Sequence, residues 1–170
     1  NIGAGDIIEG RPILILGLVW QIIKIQLMSQ VSLKAHPELV VLLEPDETLA
    51  SFMKLNPEVI LLRWINYHLA KAGASRRCTN FTSDIQDSEI YSILTHQLNS
   101  LCTLATEAKP IDRAAHVIRN GMQLGADIFI QPQDICDGNK NLNIAFVTQI
   151  FNACPGLAVV SEAQLADYMA

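Results

Sequence analysis

The chain has 170 residues, of which 50% are hydrophobic and 17% are charged, and its formal net charge is −5 at pH 7. This length and composition suit one folded domain or slightly more and exclude disorder over the whole chain. Residues 1–35 carry three basic and two acidic side chains, residues 36–77 carry five of each, and residues 78–170 carry four and ten. Such an acidic total is a poor match for nonspecific nucleic-acid binding, which depends on neutralising phosphates.

Residues 13–31 form the most apolar run of the chain. Gln21, Lys24 and Gln26 lie near its middle, where insertion into a bilayer is costly, so the run predicts a buried helix and no membrane partner. No secretory signal pattern opens the sequence. The four cysteines form neither a CxxC pair nor a dense disulfide scaffold, which favours reduced thiols in a cytoplasmic protein.

An internal repeat with an offset of 128 residues relates residues 1–24 to residues 129–152. The offset is far longer than the unit of a solenoid, so it indicates tandem domains, the first represented by its C-terminal part. The matching pairs are Ile2/Ile130, Asp6/Asp134, Ile7/Ile135, Gly10/Gly138, Leu14/Leu142, Val19/Val147, Gln21/Gln149 and Ile22/Ile150.

Each copy of the repeat predicts a short Asp-Ile turn, a stopping glycine and then a long helix. In the first copy the helix runs from Pro12 to Met28, and its counterpart runs from Asn141 to Ala153. A helical projection gathers the polar and small residues of each helix on one narrow stripe: Gly17, Gln21, Lys24 and Met28 in the first, and Asn141, Ala145, Thr148, Gln149 and Asn152 in the second. Each helix is therefore predicted to be the central, mostly buried helix of its domain.

Between the copies, short helices are predicted from His36 through Leu43 and over 48–55, with a break at residues 44–47. Asn56, Pro57 and Glu58 form a strong helix start, and Gly73 is a plausible stop. The inward face of this helix is predicted as Leu61, Leu62, Trp64, Ile65, His68, Leu69 and Ala72, and the outward face as Val59, Arg63, Asn66, Tyr67, Ala70 and Lys71.

Downstream, Asp87 or Ser88 opens a helix to about Asn99, and three further helices are predicted over 112–124, 132–137 and 141–153, with 100–110 as a loop. Because no run of alternating strands is present, the predicted fold class is all-α.

No segment carries a standard nucleotide-binding or hydrolase motif, and the histidines do not lie at ligand spacing with cysteines or carboxylates. His68 and Trp64 are predicted in the core. Capping accounts for Asp134, Asp137 and Asn139 better than a calcium loop does, and Arg76-Arg77 is expected to be a solvated pair rather than an anion site. We therefore expect no enzyme, no cofactor and no metal.

Three segments together resemble the calponin-homology domain: LLRWINYHLAKAG at 61–73, NFTSDIQDSEIY at 80–91 and QPQDICDGNKNLNIAFVTQIF at 131–151. The opening stretch through Leu27 resembles the end of a preceding domain of the same kind. The pair is similar to the first actin-binding domain of the fimbrin (plastin) family.

The resemblance implies a calponin-homology fold, a compact helical domain around a central buried helix, preceded by the C-terminal helices of another such domain. The expected division is 1–33 for the end of a first domain, 34–46 for a linker with a short helix, 47–157 for a complete second domain and 158–170 for a tail.

The resemblance also implies an actin-filament-binding fragment of an actin-bundling protein: a non-enzymatic monomer of the cytoplasm and its actin cytoskeleton. Its candidate contacts with F-actin lie outward on two helices, at Gln21, Lys24 and Met28 on the first, and at Val59, Arg63, Asn66, Tyr67 and Lys71 on the second. A mixed apolar and basic surface suits an acidic filament.

Two alternatives stay open on the sequence. One is a regulatory or scaffold module with little intrinsic affinity for actin. The other is a small helical hydrolase, which requires a nucleophile and a base within hydrogen-bond reach.

Overall fold

The computed structural model describes residues 12–161 and 163. Within these residues every regular element is helical, which confirms the predicted all-α class. In chain order they are α1 (Pro12–Met28), a 3₁₀ helix (Pro37–Leu42), α2 (Leu49–Phe52), α3 (Pro57–Lys71), a second 3₁₀ helix (Ser83–Ile85), α4 (Glu89–Leu98), α5 (Pro110–Gln123), α6 (Pro132–Cys136) and α7 (Lys140–Ala153). The turn predicted at residues 6–10 lies outside the described residues.

Local capping sets the ends of the helices. The side-chain Oδ1 of Asn56 accepts a hydrogen bond from the Glu58 backbone N–H at 3.0 Å, and Gly73 follows α3 with a φ of +72°. Helix α5 begins at Pro110, two residues before the predicted Asp112, because proline also suits the first turn of a helix. The helix predicted over 48–55 is shorter, Leu49–Phe52, and the other predicted starts and stops lie within two residues of the observed ones.

The core of the domain surrounds α7. Ile144, Phe146, Val147, Ile150 and Phe151 of this helix are at most 1% exposed. Helices α1, α3 and α6 pack against α7, and α4 lies between α3 and α5. Helix α7 is thus the central buried helix that the sequence predicts for the second domain.

The polar groups of the core are hydrogen-bonded to one another, as burial requires. The hydroxyl of Tyr91 on α4 donates to Oδ1 of Asn143 on α7 at 2.9 Å, and Nδ2 of Asn143 donates to the Asp134 carbonyl on α6 at 3.2 Å. One buried asparagine therefore joins three helices.

The segment after α7 is fastened to α3 by two aromatic side chains. Trp64 Nε1 donates to the Pro155 carbonyl at 2.7 Å, and His68 Nε2 donates to the same oxygen at 3.1 Å. Trp64 is fully buried and His68 is 1% exposed, which confirms the core positions predicted for both. We call this arrangement the Pro155 latch.

The linker is part of the same packed unit. Leu39 and Val40 of the first 3₁₀ helix are buried, and the ring of His36 lies edge-on to Phe151 of α7 with 4.8 Å between the ring centroids. Residues 36–42 therefore lie against the helices that follow rather than extending away from them.

The burial predicted for α1 is wrong. Its apolar side is open to solvent: Leu16, Val19, Ile22, Ile23 and Ile25 are 36–70% exposed. The reason is that α7 is enclosed by the helices of its own domain, whereas α1 is covered by described residues only on its opposite side, where Met28 is buried. None of the described helices is long and apolar enough to cross a membrane.

Candidate functional site

The candidate site is the surface formed by the sides of α1 and α3 that carry the eight predicted contact residues, named here the two-helix surface. The C-terminal half of α1 approaches the N-terminal turn of α3, where Lys24 pairs with Glu58 and Met28 lies in the same cavity as Pro57 and Ile60. The eight candidate side chains differ in how much they offer to a partner.

Lys24 is held by an acidic residue of α3. Its Nζ lies 2.8 Å from Oε1 of Glu58, while Nζ of Lys140, at the start of α7, lies 3.1 Å from Oε2 of the same carboxylate. Burial by itself raises the pKa of Glu58, but hydrogen bonds from Lys24 and Lys140 outweigh it, so the pKa is lowered. Glu58 thus joins α1, α3 and α7 through charge.

Met28 is not outward, contrary to the prediction. It is 7% exposed and lines an apolar cavity of about 230 Å³ together with Phe52, Pro57 and Ile60. The helical projection placed Met28 on the polar stripe of α1, and that stripe turns toward the second domain. Met28 therefore stabilises the contact between the helices.

Arg63 is directed toward the preceding segment of the chain. Both terminal nitrogens of its guanidinium group bind the carboxylate of Glu47, and the group lies 5.7 Å from the centroid of the Phe52 ring. The hydrogen bond from Arg63 lowers the pKa of Glu47. Because its charge is balanced in this way, Arg63 contributes little positive potential to the two-helix surface.

Asn66 holds the loop that follows α3. Its Nδ2 donates to the Cys78 carbonyl at 2.8 Å, and its Oδ1 accepts from the Cys78 N–H at 2.8 Å. Arg77 Nη1 donates to the Asn66 carbonyl at 3.1 Å. The predicted outward position is only partly correct, since both the nitrogen and the oxygen of the amide are bonded to Cys78.

Three candidates, Gln21, Val59 and Lys71, are exposed, and Tyr67 is half-buried, as are Lys24, Arg63 and Asn66. Nζ of Lys71 lies 5.6 Å from the centroid of the Tyr67 ring and forms no ion pair with any described residue. Tyr67 also lines a shallow groove of about 410 Å³ with Arg63, Asn66 and Arg77. The two-helix surface is consequently apolar and aromatic. Lys71 is the one candidate cation that forms no ion pair with a described residue.

Sequence reasoning missed Glu58, Glu47 and Lys140, the charged partners of the candidate lysine and arginine. Glu58 lies in the first turn of α3, where an acidic side chain interacts favourably with the helix dipole. That local role explains Glu58 in the sequence and gives no indication of its contacts with α1 and α7. Pairing across 34 residues leaves no spacing signal in the sequence.

The other polar clusters fulfil structural roles. Arg76 binds Asp87 and Glu89, so it is less solvated than predicted. Asp134 accepts a hydrogen bond from the Gln131 N–H at the start of α6, as the capping prediction requires.

No group of three potential metal ligands occurs among residues 12–161. The four thiols are free, and burial, with a smaller effect from Asp84, raises the pKa of Cys78 to about 12.

One arrangement of chemical interest was not predicted. Thr103 Oγ1 lies 3.0 Å from His116 Nε2, and His116 Nδ1 lies 2.6 Å from Oε1 of Glu107. The hydrogen bond from His116 lowers the pKa of Glu107. Asn120 also donates to the Thr103 carbonyl at 2.9 Å, so these contacts fasten the loop between α4 and α5 to α5.

The class of protein follows from this fold and from the comparison with known families. The calponin homology (CH) domain pattern matches residues 55–156, from just before α3 to the Pro155 latch, and the chain belongs to this family. Among individual relatives it is 48% identical to fimbrin from Saccharomyces cerevisiae over 95% of the chain and 26% of that fimbrin, and 47% identical to fimbrin from Dictyostelium discoideum over 98% and 28%. Mouse plastin-1 is 40% identical over 92% of the chain and 27% of the plastin.

A solved structure gives the same result in three dimensions. The crystal structure of the actin-crosslinking core of Schizosaccharomyces pombe fimbrin covers 94% of this chain, with a TM-score of 0.78 and 42% sequence identity, and the chain covers 32% of that core. The similarity to fimbrins and plastins therefore includes α1 as well as the CH domain. The chain spans about a quarter of the length of the curated relatives it matches.

Proposed function

We propose that this chain is an actin-filament-binding fragment of a fimbrin-like actin-bundling protein and that it acts without catalysis. The observation that carries the proposal is the similarity to an actin-crosslinking core over 94% of the chain, which includes both helices of the two-helix surface. Bundling belongs to the longer relatives as whole proteins, so the role proposed for this stretch is contact with one filament.

The chemistry of the two-helix surface supports a filament partner. Tyr67 offers a large amphipathic ring, Val59 offers apolar area at 38% exposure, and Lys71 offers positive charge. Gln21 adds hydrogen-bonding groups from α1. Lys24, Met28, Arg63 and Asn66 are proposed to act indirectly, because their contacts fix the positions of the two helices and of the adjoining loop.

The domain organisation is likewise a proposal: 1–33 as the end of a first calponin-homology domain, 34–46 as linker, 47–157 as the second domain and 158–170 as a tail. The repeat of 128 residues supports it, as does the apolar side of α1, which corresponds to the enclosed side of α7. We also propose a monomer in the cytoplasm, associated with the actin cytoskeleton.

Cosedimentation of the 170-residue chain with filaments at low and moderate salt tests the proposal. We expect the chain to pellet with filaments and Lys71→Glu to weaken binding about three- to tenfold, equivalent to ~0.7–1.4 kcal/mol for one reversed interfacial charge. Lys109→Glu is the matched control, an exposed lysine beside α5. Circular dichroism of each variant verifies the fold.

The alternative, a regulatory or scaffold module with little intrinsic affinity, predicts that the same chain folds but stays in the supernatant. The similarity to an actin-crosslinking core favours the binding role over this alternative. Absence of pelleting at both salt concentrations would reverse that preference. Equal weakening by Lys71→Glu and Lys109→Glu would keep filament binding but reject the two-helix surface.

A further inference from the structure

The segment between α3 and the second 3₁₀ helix carries a charge pattern that lies outside the eight candidate contacts. Residues 74–80 have no regular secondary structure, and within them Arg76 and Arg77 precede Thr79 by three and two positions. Arg77 and Thr79 are exposed. An exposed hydroxyl on an irregular segment with two arginines just before it has the form of a substrate for a protein kinase that selects basic sequences.

We propose that Thr79 is a phosphorylation site for a basophilic serine/threonine protein kinase. Such a kinase recognises arginine through acidic pockets, since a guanidinium group forms paired hydrogen bonds with carboxylates. In the reaction, Oγ1 of Thr79 forms a bond to the γ-phosphorus of ATP while the bond from that phosphorus to the bridging oxygen breaks. ADP leaves, and the hydroxyl proton passes to the catalytic aspartate of the kinase.

The contacts of Arg76 do not prevent this recognition. Its side chain is 31% exposed, and the guanidinium group binds Asp87 and Glu89, whose side chains are 44% and 59% exposed, and donates to the Asp84 carbonyl at 2.8 Å. Ion pairs between partly exposed groups contribute little to stability. Acidic groups of a kinase replace them with equivalent partners. Recognition of Arg76 therefore requires that the kinase also displace the Asp84 carbonyl.

The stronger restraint on the loop is Asn66, whose side chain is hydrogen-bonded to the backbone N–H and carbonyl of Cys78 at 2.8 Å each. Cys78 itself is 2% exposed and lies directly before Thr79. A kinase that binds residues 76–79 in extended form must lift Cys78 from this position. The rate of phosphorylation is thus set by a local opening of the loop, and removal of the Asn66 amide should accelerate it.

Phosphorylation would also alter the loop. Asp84 Oδ2 accepts hydrogen bonds from the Thr79 N–H and from the Thr79 hydroxyl, each at 2.7 Å. These bonds, the backbone one first, lower the pKa of Asp84, which marks its carboxylate as the charged acceptor. A phosphate of about −1.5 to −2 charge removes the hydroxyl donor and repels that carboxylate, so the turn from Thr79 to Asp84 opens.

The experiment is phosphorylation of the folded 170-residue chain by the catalytic subunit of cAMP-dependent protein kinase with ATP. Intact mass counts the phosphates and tandem mass spectrometry locates them. We expect one phosphate on Thr79, its loss in Thr79→Ala, at least tenfold slower labelling in Arg77→Ala, and faster labelling in Asn66→Ala. Thr82→Ala is the matched control, because Thr82 is an exposed threonine of the same loop without arginines at those two positions.

A synthetic peptide of residues 74–82 gives the reference rate of the unrestrained segment. Phosphorylation of the peptide but not of the folded chain would overturn the proposal, as would equal labelling of Thr79→Ala and the unaltered chain. The measurement does not involve actin, so its outcome is separate from that of filament binding.

Discussion

Acidification should lower the free energy of unfolding through His68, a member of the Pro155 latch. Burial lowers the pKa of His68, the hydrogen bond to Pro155 acts in the opposite direction, and the positive charge of Lys71 lowers it further. The unfolded chain therefore takes up the proton at a higher pH than the folded chain does. It follows that His68 contributes full stability above the ordinary histidine pKa of about 6.5 and that this stability is lost as the pH falls below it.

The size of the effect has an upper limit. If His68 stays neutral in the fold at about pH 5.5, protonation of the unfolded chain lowers the free energy of unfolding by at most about 1.4 kcal/mol relative to about pH 7.5. Urea unfolding at the two pH values measures this difference. Because other groups also titrate, the comparison is with His68→Gln, which retains a donor for the Pro155 carbonyl but cannot be protonated.

His68→Gln should show a smaller loss of stability on acidification than the unaltered chain, by up to that same ~1.4 kcal/mol. His96→Gln, a change at an exposed histidine of α4 whose Nδ1 binds the Cys102 carbonyl, is the control for loss of a histidine that is hydrogen-bonded to the backbone. Identical pH dependence in His68→Gln and the unaltered chain would refute the reasoning.

Three further changes test other contacts. Glu58→Gln should lower the free energy of unfolding by about 0.5–2 kcal/mol through loss of two partly exposed ion pairs, and the difference should shrink in about 1 M salt; a salt-independent loss would contradict this origin. Gly156→Ala should cost about 1–3 kcal/mol in thermal denaturation, because φ is +62° and the added Cβ would lie 2.5 Å from Cδ2 of Leu98 and 3.0 Å from Cε1 of His68. Ile22 is 57% exposed and Ile150, at the repeat-related position, is 0% exposed. Ile22→Asp should therefore change the free energy of unfolding by less than about 0.5 kcal/mol, whereas Ile150→Asp should prevent folding. Similar effects of the two substitutions would argue against the exposure of α1.

The local signals of the sequence predict the helices well. Asn56 and Pro57 mark the start of α3 and Gly73 marks its end, because a cap and a positive φ are properties of a few neighbouring residues. The inward face of α3 is also predicted correctly at Trp64 and His68. Where side-chain periodicity and capping agree, the sequence is sufficient.

The same reasoning fails where a second element decides the outcome. A helical projection identifies the polar stripe of α1 but not the direction in which the stripe points, and Met28 on that stripe is buried. The same projection marks Arg63 and Asn66 as outward. It cannot show that the Glu47 carboxylate binds Arg63 or that the Cys78 backbone binds Asn66. Contacts between residues distant in sequence have no spacing rule, so half of the candidate residues have roles that only the structure reveals.

The Pro155 latch has a consequence for the time course of folding. Trp64 and Pro155 are separated by 91 residues, so their hydrogen bond forms only after a large loop of chain has closed. Helices form within microseconds from local contacts, whereas this closure comes late. With Trp20 replaced by phenylalanine, the emission of Trp64 would report the burial of its ring among Phe151 and the Pro155 segment, and fluorescence would then develop later than helical circular dichroism during refolding.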